Sequence, residues 1–122
     1  MKQAVFTYTT WSGFCTKKRL KIFERFHQEC FFGRSWGDAY GFHMVATGRA
    51  EAMLETSLSI WDGAPFVPIF REAGGFFGSW EGKEGHTYGE AVACNAGLKS
   101  QILELIRDST QKSRTKNRRI ID

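Results

Sequence analysis

The chain has 122 residues, 42% of them hydrophobic and 25% charged, which suits one soluble domain with a real core and is short for two. Of its 17 Lys/Arg and 13 Asp/Glu, six and two fall in residues 107–122, leaving residues 1–106 with eleven of each sign, so the net +4 belongs to the tail. The body therefore has no general electrostatic reason to seek nucleic acid. No apolar run approaches the ~18 residues of a membrane span. Cys15, Cys30 and Cys94 are odd in number and lack metal-ligand spacing, so three reduced thiols in a cytoplasmic protein are expected. His27, His43 and His86 are scattered and read as surface or packing residues.

In chain order, Ala4 to Thr10 is β-branched and aromatic and reads as a strand. Ser12 to Cys15 reads as a loop. Thr16 is placed to cap a helix running to about Glu29, with Leu20, Phe23, Phe26 and Cys30 on one face. Phe31 to Arg34 is a short strand, and Asp38 to Thr47 a helix with Tyr40, Met44 and Val45 inward, closed by Gly48. Ala50 to Leu54 is a strand.

The next segment carries the strongest local signals. Asp62 is suited to cap a helix, Pro65 fits a first turn, and Phe66, Ile69, Phe70 and Ala73 follow the spacing of one buried face. Pro68 fits less well, since it removes a bond further in. Gly74 is expected to close the helix in a left-handed conformation. A carboxylate held at a helix mouth serves as a cap, or goes on to bind a cation. Gly75 to Trp80 and Glu90 to Cys94 read as strands flanking a turn at Glu81 to Gly85. Ala96 to Arg107 reads as an amphipathic helix with Leu98, Ile102, Leu105 and Ile106 inward. Residues 109–122 read as a basic, disordered extension of a domain covering residues 1–108. Strands alternating with helices give an α/β layered sheet.

Several motifs stand in register: Gly33-Arg34-Ser35-Trp36-Gly37-Asp38-Ala39-Tyr40-Gly41, Val45-Ala46-Thr47-Gly48-Arg49-Ala50-Glu51, Leu58-Ser59-Ile60-Trp61-Asp62-Gly63-Ala64, Glu72-Ala73-Gly74-Gly75 and Ala93-Cys94-Asn95. In this order they resemble the C-terminal half of the inositol monophosphatase family, over roughly residues 4 to 106. The Trp36-Gly37-Asp38 form is most similar to the histidinol-phosphatase branch. The resemblance implies a mixed sheet flanked by helices and Mg²⁺-assisted hydrolysis of a small phosphate monoester. It assigns Asp62 to the metal, and Gly37, Asp38, Ala39 and Glu55 to the leaving group. Asp38 is equally readable as a helix cap, and Glu55 as a solvated strand-end carboxylate. Arg34 is a candidate anion contact, whereas Arg49 reads as a structural ion-pair partner.

Two carboxylates near the leaving group favour a cationic one, hence histidinol phosphate over inositol or other polyol phosphates. The family's other metal ligands, in a Gly-Glu-x-x-Glu-type segment and an Asp-Pro-x-Asp-Gly-Thr loop, are absent: the only prolines are Pro65 and Pro68, and neither follows Asp. No catalytic set is complete in this chain, and one carboxylate should bind Mg²⁺ weakly. The expectation is thus an inactive fragment whose partner is the missing N-terminal half, prone to self-association as a homo-oligomer. A non-catalytic interaction module is the alternative. The tail lacks aromatic residues to stack on bases, which argues against nucleic acid as a partner.

Overall fold

The computed structural model describes residues 1–121, apart from the side chains of residue 38 and residues 111–121. Five strands form one mixed sheet: β1 (Val5–Tyr8), β2 (Phe32–Ser35), β3 (Ala52–Glu55), β4 (Gly75–Gly78) and β5 (Ala91–Asn95), in the order β2-β1-β3-β5-β4. β1 is parallel to both β2 and β3, while β5 runs antiparallel to both β3 and β4. The helices are α1 (Trp11–Thr16), α2 (Leu20–Glu29), α3 (Asp38–Ala46), α4 (Ile60–Gly63), α5 (Phe66–Glu72) and α6 (Lys99–Ile121), the last preceded by a 3₁₀ turn at Ala96–Leu98.

Strand side chains alternate between the two faces of a sheet, and here both faces are buried. On one side Phe6, Leu54, Val92 and Cys94 meet Phe14, Phe23, Phe26 and Ile102 from α1, α2 and α6. On the other, Met53, Ala91, Ala93 and Phe77 meet Phe42, Val45 and Phe70 from α3 and α5. Phenylalanines dominate both cores, with Phe14 and Phe23 centroids 4.8 Å apart and Phe42 and Phe77 5.1 Å apart. Each fully buried ring contributes about 1.5–3 kcal/mol from burial. Trp80 is buried, and its indole N–H is satisfied by the Ala91 carbonyl at 2.9 Å, as an interior tryptophan requires. No helix among the described residues is long and apolar enough to cross a membrane.

Some elements differ from expectation. The segment read as a loop at Ser12 to Cys15 is α1. Thr10 caps it by accepting from the Gly13 N–H at 3.2 Å, and Lys18, at φ 57, breaks the chain before α2. Thr16 therefore ends one helix rather than starting the next. In α3, Tyr40 is 55% exposed and Phe42 takes the interior place. The contact centre of that helix is Gly41, where a Cβ would lie 2.5 Å from the Trp36 carbonyl oxygen and 2.7 Å from Met53 Sδ. A glycine at a contact centre is invisible to hydrophobic periodicity.

The helix expected from Asp62 is two short helices. Ser59, not Asp62, caps α4, and Pro65 occupies the N-cap position of α5. This break accommodates Pro68: it falls in the first turn of α5, where a missing N–H costs little. The buried face of α5 is Phe70 with Phe66 and Val67 partly covered; Ile69 is 45% exposed and Ala73 is exposed. Gly74 is left-handed as expected, at φ +76 directly after the C-cap Ala73. α6 continues to Ile121, through most of the segment read as a disordered extension. Near its midpoint the Ser109 and Thr110 hydroxyls donate to the Leu105 and Ile106 carbonyls, so polar residues there join the helix ladder instead of competing with it.

Two measurements test this packing. Gly41→Val should lower stability by about 2 kcal/mol through overpacking against backbone, read as a fall in the urea midpoint at unchanged slope. Burial pushes both the Cys30 and the Cys94 thiol up, from 9.0 to about 11. Between those values the unfolded chain releases thiol protons that the folded chain retains, so stability should fall as pH rises from about 9 to about 11. A Cys94→Ala variant should show a shallower fall over that window, and an equally steep one would refute the assignment.

Candidate functional site

β1 and β3 are parallel neighbours, so the segments leaving their carboxyl ends emerge side by side. Between these segments and α3 lies a cleft of about 240 Å³. Its floor is apolar (Phe42, Leu58, Phe66), and its polar wall is made by Glu55, Ser57 and Asp62, with Ala39 opposite in the first turn of α3. Three of the residues singled out in the sequence, Ala39, Glu55 and Asp62, thus line one cavity.

Glu55 is the last residue of β3 and only 5% exposed. It is not the solvated strand-end carboxylate that was one of its two readings. The Thr9 hydroxyl donates to Oε2, and the Ser57 N–H donates to Oε1 at 3.2 Å, so its oxygens are held in place at the cleft wall.

Asp62 is exposed and is the third residue of α4. Its N–H donates to Ser59 Oγ at 3.2 Å while Ser59 Oγ donates to its Oδ2 at 2.9 Å. The side chain is restrained by its neighbour, and Oδ1 makes no hydrogen bond among the described residues. The expectation that Asp62 is itself the cap fails because Ser59 stands three residues earlier, and Ser-x-x-Asp is the spacing of a capping box.

Gly37 takes the N-cap position of α3 that had been offered to Asp38, which becomes the first residue of the helix. Gly37 has an ordinary φ of −69, and a Cβ there would meet only the Thr9 methyl at 3.6 Å. Its lack of a side chain leaves room beside the cleft rather than permitting a special backbone shape. Arg34 is exposed on the edge strand β2, its guanidinium 5.0 Å from the Phe32 ring centroid, and it does not line the cleft. Arg49 is exposed with no carboxylate partner among the described residues, contrary to the expected ion pair.

Reasoning from sequence missed Thr9, Ser57 and Ser59. The capping-box spacing was a usable signal for Ser59; Thr9 and Ser57 act through long-range and local backbone geometry that no motif encodes. One carboxylate perturbed by its surroundings, Glu90, lies outside the cleft. Burial pushes Glu90 above the usual carboxylate range, with the Arg19 guanidinium at 2.9 Å acting against it. That ion pair ties the start of β5 to the turn before α2 and reads as structural.

A Mg²⁺ ion takes oxygen ligands, commonly one or two carboxylates completed by water and substrate phosphate. Asp62 suits one such ligand, being exposed, restrained and open at Oδ1. Glu55 is already engaged by Thr9 and Ser57, and no group of three His, Cys, Asp or Glu side chains among the described residues is placed to hold a metal. These residues alone do not fit a complete Mg²⁺ site.

Solved structures share this fold. An inositol monophosphatase from Zymomonas mobilis superposes with a TM-score of 0.77 at 23% identity, covering 87% of this chain and 43% of that one. In sequence, the histidinol-phosphatase of Streptomyces coelicolor is 35% identical over 103 residues, 84% of this chain and 39% of that protein. That of Chlorobaculum parvum is 38% identical over 74 residues, 60% of this chain and 29% of that protein. The chain thus spans well under half the length of the relatives it matches. The sequence profile of one family accounts for residues 6–114, nearly everything from the first strand into the last helix, and places this chain in the inositol monophosphatase family.

Proposed function

We infer that these residues form the leaving-group side of a Mg²⁺-dependent phosphate monoesterase, with histidinol phosphate as the favoured substrate. The observation that carries this reading is the convergence of Glu55 and Asp62 on one cleft beside the first turn of α3. Two kinds of role follow from their different surroundings. Asp62, exposed at the rim, supplies one hard oxygen ligand; the remaining ligands come from outside these 122 residues. Glu55, buried and fixed by two donors, contributes negative charge at the wall where an alcohol leaving group lies. A carboxylate there attracts an ammonium or imidazolium by a charge-assisted hydrogen bond, which a neutral polyol cannot match. Asp38, the first residue of α3, carries a second charge of the same sign. The two most similar relatives described above are histidinol-phosphatases, which supports the same preference.

Bound Mg²⁺ supplies charge neutralisation of the phosphoryl group in such chemistry. What this chain contributes is narrower: an apolar floor, a fixed carboxylate and an exposed one.

The isolated chain should show negligible turnover of histidinol phosphate with or without Mg²⁺. Mg²⁺-dependent hydrolysis abolished by Asp62→Asn in this chain alone would overturn that expectation. A chimera in which residues 4–106 replace the aligned stretch of the Streptomyces enzyme tests the reading directly. It should hydrolyse histidinol phosphate in preference to inositol phosphate, and Asp62→Asn should lower kcat by about 100-fold or more, on the scale of losing a charge-stabilising group. Asp38→Thr should narrow the substrate ratio. Faster hydrolysis of inositol phosphate, or a ratio indifferent to Asp38, would remove histidinol phosphate as the substrate.

A further inference from the structure

We propose that Thr9 is a positioning residue, which sets the charge-recognising orientation of Glu55 and ties it to the end of β2. The inference rests on the reading of Glu55 as the leaving-group carboxylate, and its basis is strand register. β1 and β3 pair in parallel as Phe6↔Ala52, Thr7↔Met53 and Tyr8↔Leu54. One further step along both strands brings Thr9 beside Glu55. Alternation puts the two side chains on the same face of the sheet, the face that carries Met53 and Ala93 and is covered by α3 and α5.

The hydrogen bond between them has one polarity. An ionised carboxylate only accepts, so the Thr9 hydroxyl must spend its single proton on Glu55 Oε2. With the Ser57 N–H on Oε1 at 3.2 Å, the two donors approach opposite oxygens and fix the plane of the group. Two donors on opposite oxygens orient the group at the cleft wall, where a cationic leaving group would meet it.

Thr9 is held from the other side as well. Its carbonyl accepts from Ser35 Oγ at 2.8 Å at the end of β2. Its methyl faces Gly37, where a Cβ would stand 3.6 Å away. One threonine therefore joins the end of β2 to the buried carboxylate, with its methyl on the side of the α3 N-cap. The hydroxyl and the methyl are separable by substitution: Thr9→Val keeps the methyl and removes the donor, whereas Thr9→Ser keeps the donor and removes the methyl.

The test uses the isotopically labelled 122-residue chain, titrated by NMR with L-histidinol, a small amino alcohol bearing an ammonium, and with uncharged myo-inositol. Thr9→Val should weaken L-histidinol about tenfold, as loss of one hydrogen bond to a charged group predicts, and weaken myo-inositol less. Thr9→Ser should restore most of the loss. The Glu55 carboxyl carbon resonance should move in Thr9→Val and return in Thr9→Ser. Unchanged L-histidinol affinity and an unmoved Glu55 resonance in Thr9→Val would overturn the proposal. So would an equal loss in both variants or for both ligands, which marks general damage. If the parent chain binds no L-histidinol yet the Glu55 resonance responds as described, Thr9 keeps its positioning role and the substrate reading fails.

Discussion

The parallel pairing of β1 with β3 is the constraint on which the rest depends. Its register decides which residues of both strands point to which core, because a slip of one position would exchange every inward and outward side chain. In the observed register Phe6 and Leu54 enter the aromatic cluster under α2 and α6, while Thr7 and Met53 lie under α3. Both faces are buried, so a slip would put Thr7 and Glu55 among the phenylalanines of the first core at a cost of several unsatisfied polar groups. The same register carries the strands' carboxyl ends to a common edge. The cleft is the consequence: it exists where β1 and β3 stop together and the chain turns off in two directions.

Much of this was legible in the residues, for reasons that can be named. Val5 to Tyr8 and Ala91 to Cys94 are short runs with strand composition bounded by breakers, and they are strands. Gly74 follows an apolar helical face and adopts the left-handed conformation. The family motifs pointed to Glu55, Ala39 and Asp62 before any geometry was known, and all three line the cleft. The readings that failed share a cause. Asp62 precedes the apolar spacing and so reads as a cap, yet the helix starts earlier, with Ser59 accepting from the Asp62 N–H. Tyr40 was placed inside because it is large and aromatic, whereas the position that touches the sheet is Gly41, whose value is the absence of a side chain. α1 was missed because Trp11 to Thr16 has no helical periodicity and holds a glycine. Its helix is stabilised by the Thr10 cap and by close packing of Gly13 on Thr56, where a Cβ would come within 2.2 Å of Oγ1. Propensity and pattern do not report contacts between residues some forty positions apart.

The two cleft carboxylates differ in how their environment treats them, and this difference makes a division of labour physically sensible. A buried carboxylate with fixed donors has part of its desolvation cost offset by protein hydrogen bonds, and its oxygens keep one direction. Such a group suits recognition of a polar or cationic ligand, which must match its orientation. An exposed carboxylate restrained by a single serine keeps one oxygen toward solvent and can join a coordination shell without first breaking buried bonds. Exchanging the two roles would be costly. Drawing Glu55 into a metal shell would strand the Thr9 hydroxyl and the Ser57 N–H, and burying Asp62 would require donors that α4 does not supply.

On the proposed reading, this asymmetry also explains how a leaving-group wall can form without the rest of a metal site. The recognition wall is built from elements contiguous in space within this chain: the ends of β1 and β3, the first turn of α3 and the α4 turn. Its geometry follows from the sheet register and needs nothing else to form. A cation site is different, because its ligands repel one another until the ion arrives, and a lone carboxylate offers too little charge to hold Mg²⁺ against its hydration. A fold can therefore pre-build the leaving-group side on sheet packing alone, whereas the metal side forms only when acidic groups from separate segments are brought together. With Asp62 exposed at the rim and no group of three potential metal ligands among the described residues, the proposed function gives this chain the first of these and a single anchor of the second.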